Sequence, residues 1–556
     1  MKYTDRPYIA IILLLCIIYV RGLFIPLMNN DSAHHANIAL NMHLSGDYAS
    51  LFDQGRDYMD KPHLLFWLAA FSYHVFGINT FAYKFFSILF TLLGLYSTYR
   101  LGKLLYSKRV GKLAALILAS SLAFILANND VRMDAILTAT IVFATWQLVE
   151  YMKFKGWVNV LGVSAGLALG FATKGMVGAM VPLLAAFGFM LHQRNLLIFR
   201  DRKWMFIPLL FFLFVGPVLY SYYLQFDLHP EKVIRGQTSV SGVKFILWSQ
   251  NFERFDGGNF GGRSSRRDSF FFLHTLLWAF LPWSFLLIAG CWNFFKEHLN
   301  HRFRSTSRFD GLTLFTIVIM MFLLSFSGYK LPHYLNILFP FFAIIAAAYL
   351  LDERTRKHGS MLLKVQGTVV ILLFIVALIL NGWSLPMDWR VLTAIALAFT
   401  ATTLLLLRRS EPPIEKAVAV SLAGAVLCNL LLNFNWYPKL LKYQAGHVLA
   451  EISMNHPAKE YVFLDGYEHS SSFGFYRGQM IPFKAVEAIA RGTGTSNVYT
   501  GEKGLMALRK HGVVCKIIAA APDYPVSNLK SPFLDPDKRR AILRTHFLIE
   551  AKSSMP

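Results

Sequence analysis

Asn29-Asn30-Asp31-Ser32-Ala33-His34-His35, followed by Met59-Asp60-Lys61-Pro62-His63, is the first polar stretch of the chain, and long apolar runs lie on both sides of it. A run of roughly twenty apolar residues is long enough to cross a bilayer, so these acids, histidines and lysine sit where a membrane surface meets water. Ionisable groups are costly to hold at that boundary and usually serve function there. The stretch points to an enzyme handling a charged substrate at the bilayer face.

Composition agrees with that setting. The chain has 556 residues, 55% hydrophobic and only 16% charged, which a soluble globular protein rarely shows. About thirteen segments approach the length of a membrane span. They fall near residues 8–28, 80–101, 112–127, 131–150, 158–173, 175–192, 204–224, 270–292, 311–327, 332–351, 361–380, 391–407 and 416–435. No small-residue cleavage site follows the first, so it reads as a retained helix rather than a signal peptide. The expected fold is a polytopic α-helical membrane protein.

The net charge of +23 suggests nucleic acid at first sight, but its placement argues against that partner. Lys2 and Arg6 precede the first segment; Lys103, Lys108, Arg109 and Lys112 fill one loop, and Lys153 with Lys155 a later one. Arg200, Arg202 and Lys203, then Arg302, Arg304 and Arg308, then Arg354, Arg356 and Lys357 continue the series. Every second loop is basic, the pattern that orientation by the positive-inside bias produces. With the N-terminus cytoplasmic, the Asp31 loop and everything after Phe434 fall on the outer side. A bacterial inner membrane fits this arrangement.

Two outer loops are long, 29–79 and 225–269. The first holds two amphipathic stretches, Asp31 to Leu44 and His63 to Phe76, at helical spacing. The second carries the run Asp256-Gly257-Gly258-Asn259-Phe260-Gly261-Gly262, which reads equally as a connector or as a lid that orders on substrate. The membrane domain thus spans 1–435. Residues 436–556 have the composition of a soluble domain, with short apolar runs at 461–464, 513–519 and 546–549 between turn-forming glycines and prolines. That alternation predicts a small extracytoplasmic α/β domain. Of the four cysteines only Cys515 lies in this tail, so no disulfide framework is available to it.

Each candidate residue has a bland reading beside a functional one. Asp31 opens an amphipathic stretch and reads as a helix cap or as a catalytic acid. Lys61 is either solvated or a flexible point charge for a phosphate. In Asn128-Asn129-Asp130-Val131-Arg132-Met133-Asp134, Asp134 needs a cation, with Arg132 or Lys61 as candidates, and reads as half of a structural ion pair or as a functional acid. Lys174-Gly175 and Ser327-Gly328-Tyr329-Lys330-Leu331-Pro332-His333-Tyr334 form further outer turns, offering Lys330 to an anion and Tyr334 as a hydrogen-bonding group. Asp31, Asp60, Lys61, Asp134, Lys174, Lys330 and Arg254 all map to one face. Histidines 34, 35 and 63 with Asp60 could surround a divalent ion or make ordinary hydrogen bonds, since no spacing here is diagnostic.

At these residues the chain resembles the polytopic GT-C class of lipid-dependent glycosyltransferases, the aminoarabinose transferases of lipid A and the related protein O-mannosyltransferases. The resemblance rests on Asn30-Asp31, Asp60-Lys61-Pro62 with Leu65 and Trp67, Arg132-Met133-Asp134, Thr173-Lys174-Gly175 and Lys330-Leu331-Pro332-His333-Tyr334. It implies a polyprenyl-phosphate sugar donor, an acceptor that is a lipid, glycan or protein, and transfer with inversion. It places Asp31 as the catalytic acid of the first loop and Lys61 as a donor-phosphate contact, with Asp134 beside them. Arg254, Lys330 and Tyr334 join the phosphate site, and Asp60 stands where the family carries a metal-binding glutamate. Asn251-Phe252-Glu253-Arg254-Phe255 resembles a second-loop motif in which asparagine here replaces a histidine. A transporter or flippase of lipid-linked sugars is the competing class. Such carriers place their sites near the bilayer midplane and often show inverted repeats, neither of which is visible here.

Overall fold

The computed structural model describes residues 6–29, 31–193, 201–250, 253, 268–301, 311–492 and 494–553. Arg254 and the glycine-rich run at 256–262 lie outside the described residues. Among the described residues eight helices are long and apolar enough to cross a membrane, or nine if one bent pair is a single span. The eight include α4 (Thr80–Leu105) and α7 (Asp134–Phe154), and the bent pair is α5 (Lys108–Ser120) with α6 (Leu122–Asn129), set at 56°. All thirteen expected segments fall on helix. Several are short or broken: α1 (Arg6–Gly22) has 17 residues, and the segment at 270–292 divides into Phe271–Ala279 and Ser284–Asn300.

Helices that face lipid and helices that face protein differ in what they expose. Trp389–Arg408 leaves Leu397 and Leu405 each 66% exposed, and Leu213 on Phe206–Tyr222 is equally open. Continuous exposed apolar surface of this kind requires hydrocarbon around it. In the interior, small residues let backbones meet: a Cβ on Gly111 of α5 would stand 2.3 Å from the Tyr99 carbonyl oxygen of α4. Several buried polar groups pair across helices, where a bilayer offers them no water. Gln366 donates to the Pro282 carbonyl at 3.1 Å and to Ser421 Oγ at 2.7 Å, and Asn129 donates to Asn433 Oδ1 at 2.8 Å.

The loop 29–79 contains the two expected helices, α2 (Asp31–Ser45) and α3 (Leu64–Phe76). Between them β1 (Phe52–Asp53) and β2 (Arg56–Asp57) pair antiparallel around Gln54-Gly55, both at positive φ. That turn geometry suits a two-residue hairpin, and it carries Asp53 back to α2.

The last membrane helix runs through helical geometry from Pro413 to Tyr443, several residues beyond the compositional change at Trp436. A five-stranded sheet follows, ordered β4-β3-β5-β7-β6. Its strands are β3 (Tyr461–Leu464), β4 (Phe483–Lys484), β5 (Thr495–Gly501), β6 (Val513–Asp523) and β7 (Arg544–Ser553). β3 is parallel to both β4 and β5, and β7 lies antiparallel between β5 and β6. All four residues of β3 are buried, because helices cover both faces. Val462 and Leu464 pack with Ile489 and Leu508 on one side, Tyr461 and Phe463 with Leu449 and Phe473 on the other. The three apolar runs read from sequence are β3, β6 and β7. The central β5 escaped notice because its residues, Thr495-Ser496-Asn497-Val498-Tyr499-Thr500-Gly501, are mostly polar.

This sheet domain is seated on the membrane part. Tyr524 and Phe533 share an apolar cluster with Ile25, Met28 and Trp436. Arg539 donates to the Ser384 carbonyl at 2.7 Å, and Ser384 Oγ to that of Leu534 at 2.6 Å.

Candidate active site

Asp31 is the first residue of α2, and its described partner is Arg132, whose Nη1 lies 3.6 Å from Oδ2. This contact joins the start of α2 to a residue far along the sequence. Arg132 also binds Asp130 at 2.6 Å through Nε, so one guanidinium joins two carboxylates. Burial pushes the Asp130 carboxyl up from its ordinary value, against the pull of Arg132 and then Lys84. Arg132 and Asp134 face different partners because Met133 between them has φ +101°, a left-handed conformation rare for a non-glycine residue. Met133 is fully buried, so its surroundings hold that geometry.

Asp134 is paired with Lys174 at 2.9 Å, and its other oxygen lies 3.9 Å from His333 Nε2. The expected partners, Arg132 and Lys61, are replaced by a lysine from the end of α8 (Trp157–Lys174). The Lys174 ammonium sits 4.8 Å above the Tyr334 ring, and the His333 ring meets Tyr334 edge-on. Lys174-Gly175 and His333-Tyr334, two separate outer turns in the sequence, thus converge on Asp134.

The histidines of α2 register the charges around them. His35 is buried, which pushes its imidazole well below its ordinary value, and His34, Lys61, Arg132 and Lys174 push it further down. For His34 burial acts downward too, but the hydrogen bond and charge of Asp53, with Asp31 and Asp60 beyond, outweigh it and raise its pKa. His34 Nε2 lies 2.9 Å from Asp53. His63, sequestered under the first loop, falls to about 4, chiefly from burial, while its Nε2 meets the Ala49 carbonyl at 2.9 Å. Asp31, Asp60, Lys61, Arg132 and Lys174 therefore share one electrostatic neighbourhood.

Asp60 is held by Arg235 of the second long loop, which also meets Glu253 at 3.0 Å. Lys330 is buried and donates to the Asp268 carbonyl at 2.8 Å, so its described bond points towards the second loop rather than to Asp31. Arg235 and the roles of His333 and Asp130 were not singled out from sequence. For Arg235 no spacing could have done so, since 175 positions separate it from Asp60.

Among the described residues no group of three or more His, Cys, Asp or Glu could hold a divalent ion, and the Asp60 carboxylate is engaged by a guanidinium.

Residues 60–221 match the family described as dolichyl-phosphate-mannose-protein mannosyltransferase. The chain is 27% identical over 369 residues to an undecaprenyl phosphate-alpha-4-amino-4-deoxy-L-arabinose arabinosyl transferase of Pseudomonas fluorescens, covering 64% of this chain and 61% of that relative. A counterpart from Sodalis glossinidius is 26% identical over 393 residues, covering 68% and 66%. The match to the Pseudomonas relative thus spans less than two thirds of that protein's length. The crystal structure of ArnT from Cupriavidus metallidurans bound to undecaprenyl phosphate superposes with a TM-score of 0.75 at 15% identity, covering 98% of each chain. That agreement extends over membrane helices and sheet domain alike and shows a common fold. Over 64% of its length the chain is thus similar in sequence to an aminoarabinose transferase, and over nearly its whole length it shares the fold of the ArnT crystal structure.

Proposed function

We propose that this protein is an integral membrane glycosyltransferase that moves a sugar from a polyprenyl-phosphate donor to an acceptor at the outer face of a bacterial inner membrane. The observation that carries this reading is the half-open Asp31 carboxylate beside Arg132, with Lys61 and Lys174 in the same field. Such a group of acid and cations suits a reaction whose leaving group is an anion. The acceptor oxygen attacks the anomeric carbon as the glycosyl–oxygen bond breaks, the electron pair departs on the polyprenyl phosphate, and configuration inverts. Asp31 takes the proton of a hydroxyl acceptor. If the acceptor is a phosphate, as on lipid A, no strong base is needed and Asp31 orients the attack.

Lys61 holds the donor phosphate, joined by Arg254 from the second outer loop. Asp134, buried under Lys174, positions that lysine and the Tyr334 ring rather than touching the sugar. Lys330 anchors the second loop through Asp268. The alternation of basic loops supports about thirteen crossings with the N-terminus cytoplasmic, the shorter apolar helices completing the set. The membrane domain would then be residues 1–435, and residues 436–556 a sheet domain on the outer side. The sugar resembles an amino-pentose in the named relatives, and lipid, glycan and protein acceptors share the required nucleophilic oxygen.

Mass spectrometry of envelope lipids, glycans and proteins with and without the gene tests this reading. Loss of one sugar from one acceptor species, restored by the wild-type chain and not by Asp31→Asn, is the expected result. An unmodified acceptor pool accompanied by lipid-linked sugar confined to the inner leaflet would assign the protein to the flippases instead.

A further inference from the structure

The segment between α1 and Asp31 is held by side chains from the far end of the chain. Gln444, at the exit of the last membrane helix, donates its amide to the Leu27 carbonyl at 3.0 Å and accepts from the Asn29 N–H. Tyr476 accepts from the Leu27 N–H at 2.7 Å, and its hydroxyl also lies 3.0 Å from Thr80 Oγ1 at the head of α4. Ser470 Oγ donates to Asn29 Oδ1 at 3.2 Å. Three backbone groups just before the acid, the N–H and carbonyl of Leu27 and the N–H of Asn29, are therefore satisfied by residues more than 400 positions away. Leu27 and Gln444 are both essentially fully buried, so water does not replace these bonds.

The other end of the segment is fixed from inside the membrane. Lys84, fully buried on α4, donates to the carbonyls of Gly22 and Ile25 at 3.0 and 2.7 Å, closing off the end of α1. The tail also lies directly on α2: a Cβ on Gly474 would come within 2.9 Å of Asn37 Oδ1.

We propose that Gln444 and Tyr476 are positioning residues, through which the sheet domain sets the place of Asp31 opposite Arg132. This rests on the transferase reading given above. Misplacing a reacting group by about 1 Å can cost up to a hundredfold in rate, so a loosened segment reads out in turnover.

The test uses the full chain in detergent, with Gln444→Leu, which keeps a side chain of comparable bulk and removes the amide, and Tyr476→Phe, which keeps the ring and removes the hydroxyl. Expected is a fall in kcat of about tenfold in each, with donor KM and melting temperature little changed. Hydrogen exchange at the backbone of residues 27–29 should quicken. In an Asp31→Glu background, where the carboxylate is already displaced, Gln444→Leu should cost a smaller factor than in the wild type. Wild-type kcat in both variants would overturn the proposal. So would an equal factor in both backgrounds, or a fall in melting temperature that accounts for the whole loss. If the wild-type chain transfers no sugar, the transferase reading fails, while unchanged exchange at residues 27–29 would overturn the clamp separately.

Discussion

Two ion pairs stand on either side of Met133, and they differ in solvent. Asp31 is 43% exposed against an Arg132 that is 15% exposed, at 3.6 Å. Asp134 is 3% exposed against Lys174, at 2.9 Å. The open, longer pair leaves its carboxylate able to meet another molecule. The closed pair is committed: a buried carboxylate and ammonium are tolerable only together, since desolvation offsets most of their attraction. Adjacency in sequence thus says little about environment; across one residue of positive φ, one side chain meets the half-exposed Asp31 and the other the buried Lys174.

That contrast is most exposed to test at Asp31. Asp31→Asn should lower transfer by about a thousandfold, the range of general acid–base catalysis, with the melting curve unchanged. Near-normal turnover would remove Asp31 from the chemistry and with it the distinction between the pairs. At the closed pair the order of effects reverses. Asp134→Ala should cost about 3–5 kcal/mol of stability by leaving Lys174 buried and uncompensated. The double change Asp134→Leu with Lys174→Met should return most of that stability in thermal melts. If it does not, Asp134 contributes something beyond its pairing.

Lys61→Ala should act mainly on the donor, raising its KM about tenfold, because a flexible lysine contributes chiefly as a point charge on phosphate. An unchanged donor KM would move the phosphate site towards Arg132 and the second loop. The smallest effect is expected at His34. Its pKa is raised in the fold by Asp53 and the neighbouring acids. The contribution is fully present below the unfolded value near 6.5 and is lost as pH rises through the higher folded value. His34→Gln should therefore lower the melting temperature slightly at pH 6 and less at pH 9, and a difference independent of pH would refute the assignment.

The residues of the candidate site were legible because polar groups beside apolar runs are conspicuous. Asp31, Asp60, Lys61, Asp134, Lys174 and the Lys330–Tyr334 turn all stood out that way. Their pairings did not stand out. Lys174 for Asp134, Arg235 for Asp60 and Gln444 for the Asn29 backbone come from elements far apart in the chain. The central strand β5 was hidden for a related reason: Asn497 and Thr500 are buried within it, and burial of polar residues cannot be read from their type.

By itself the sequence determined that this is a many-helix membrane protein with a polar first loop and an α/β tail, because apolar length and local alternation are properties of neighbouring residues. Which acid stays open, which is closed off, and that the tail grips the loop in front of Asp31 were decided only by the tertiary structure. Desolvation and hydrogen-bond partnership depend on what distant elements bring within a few ångströms, and no local pattern encodes that.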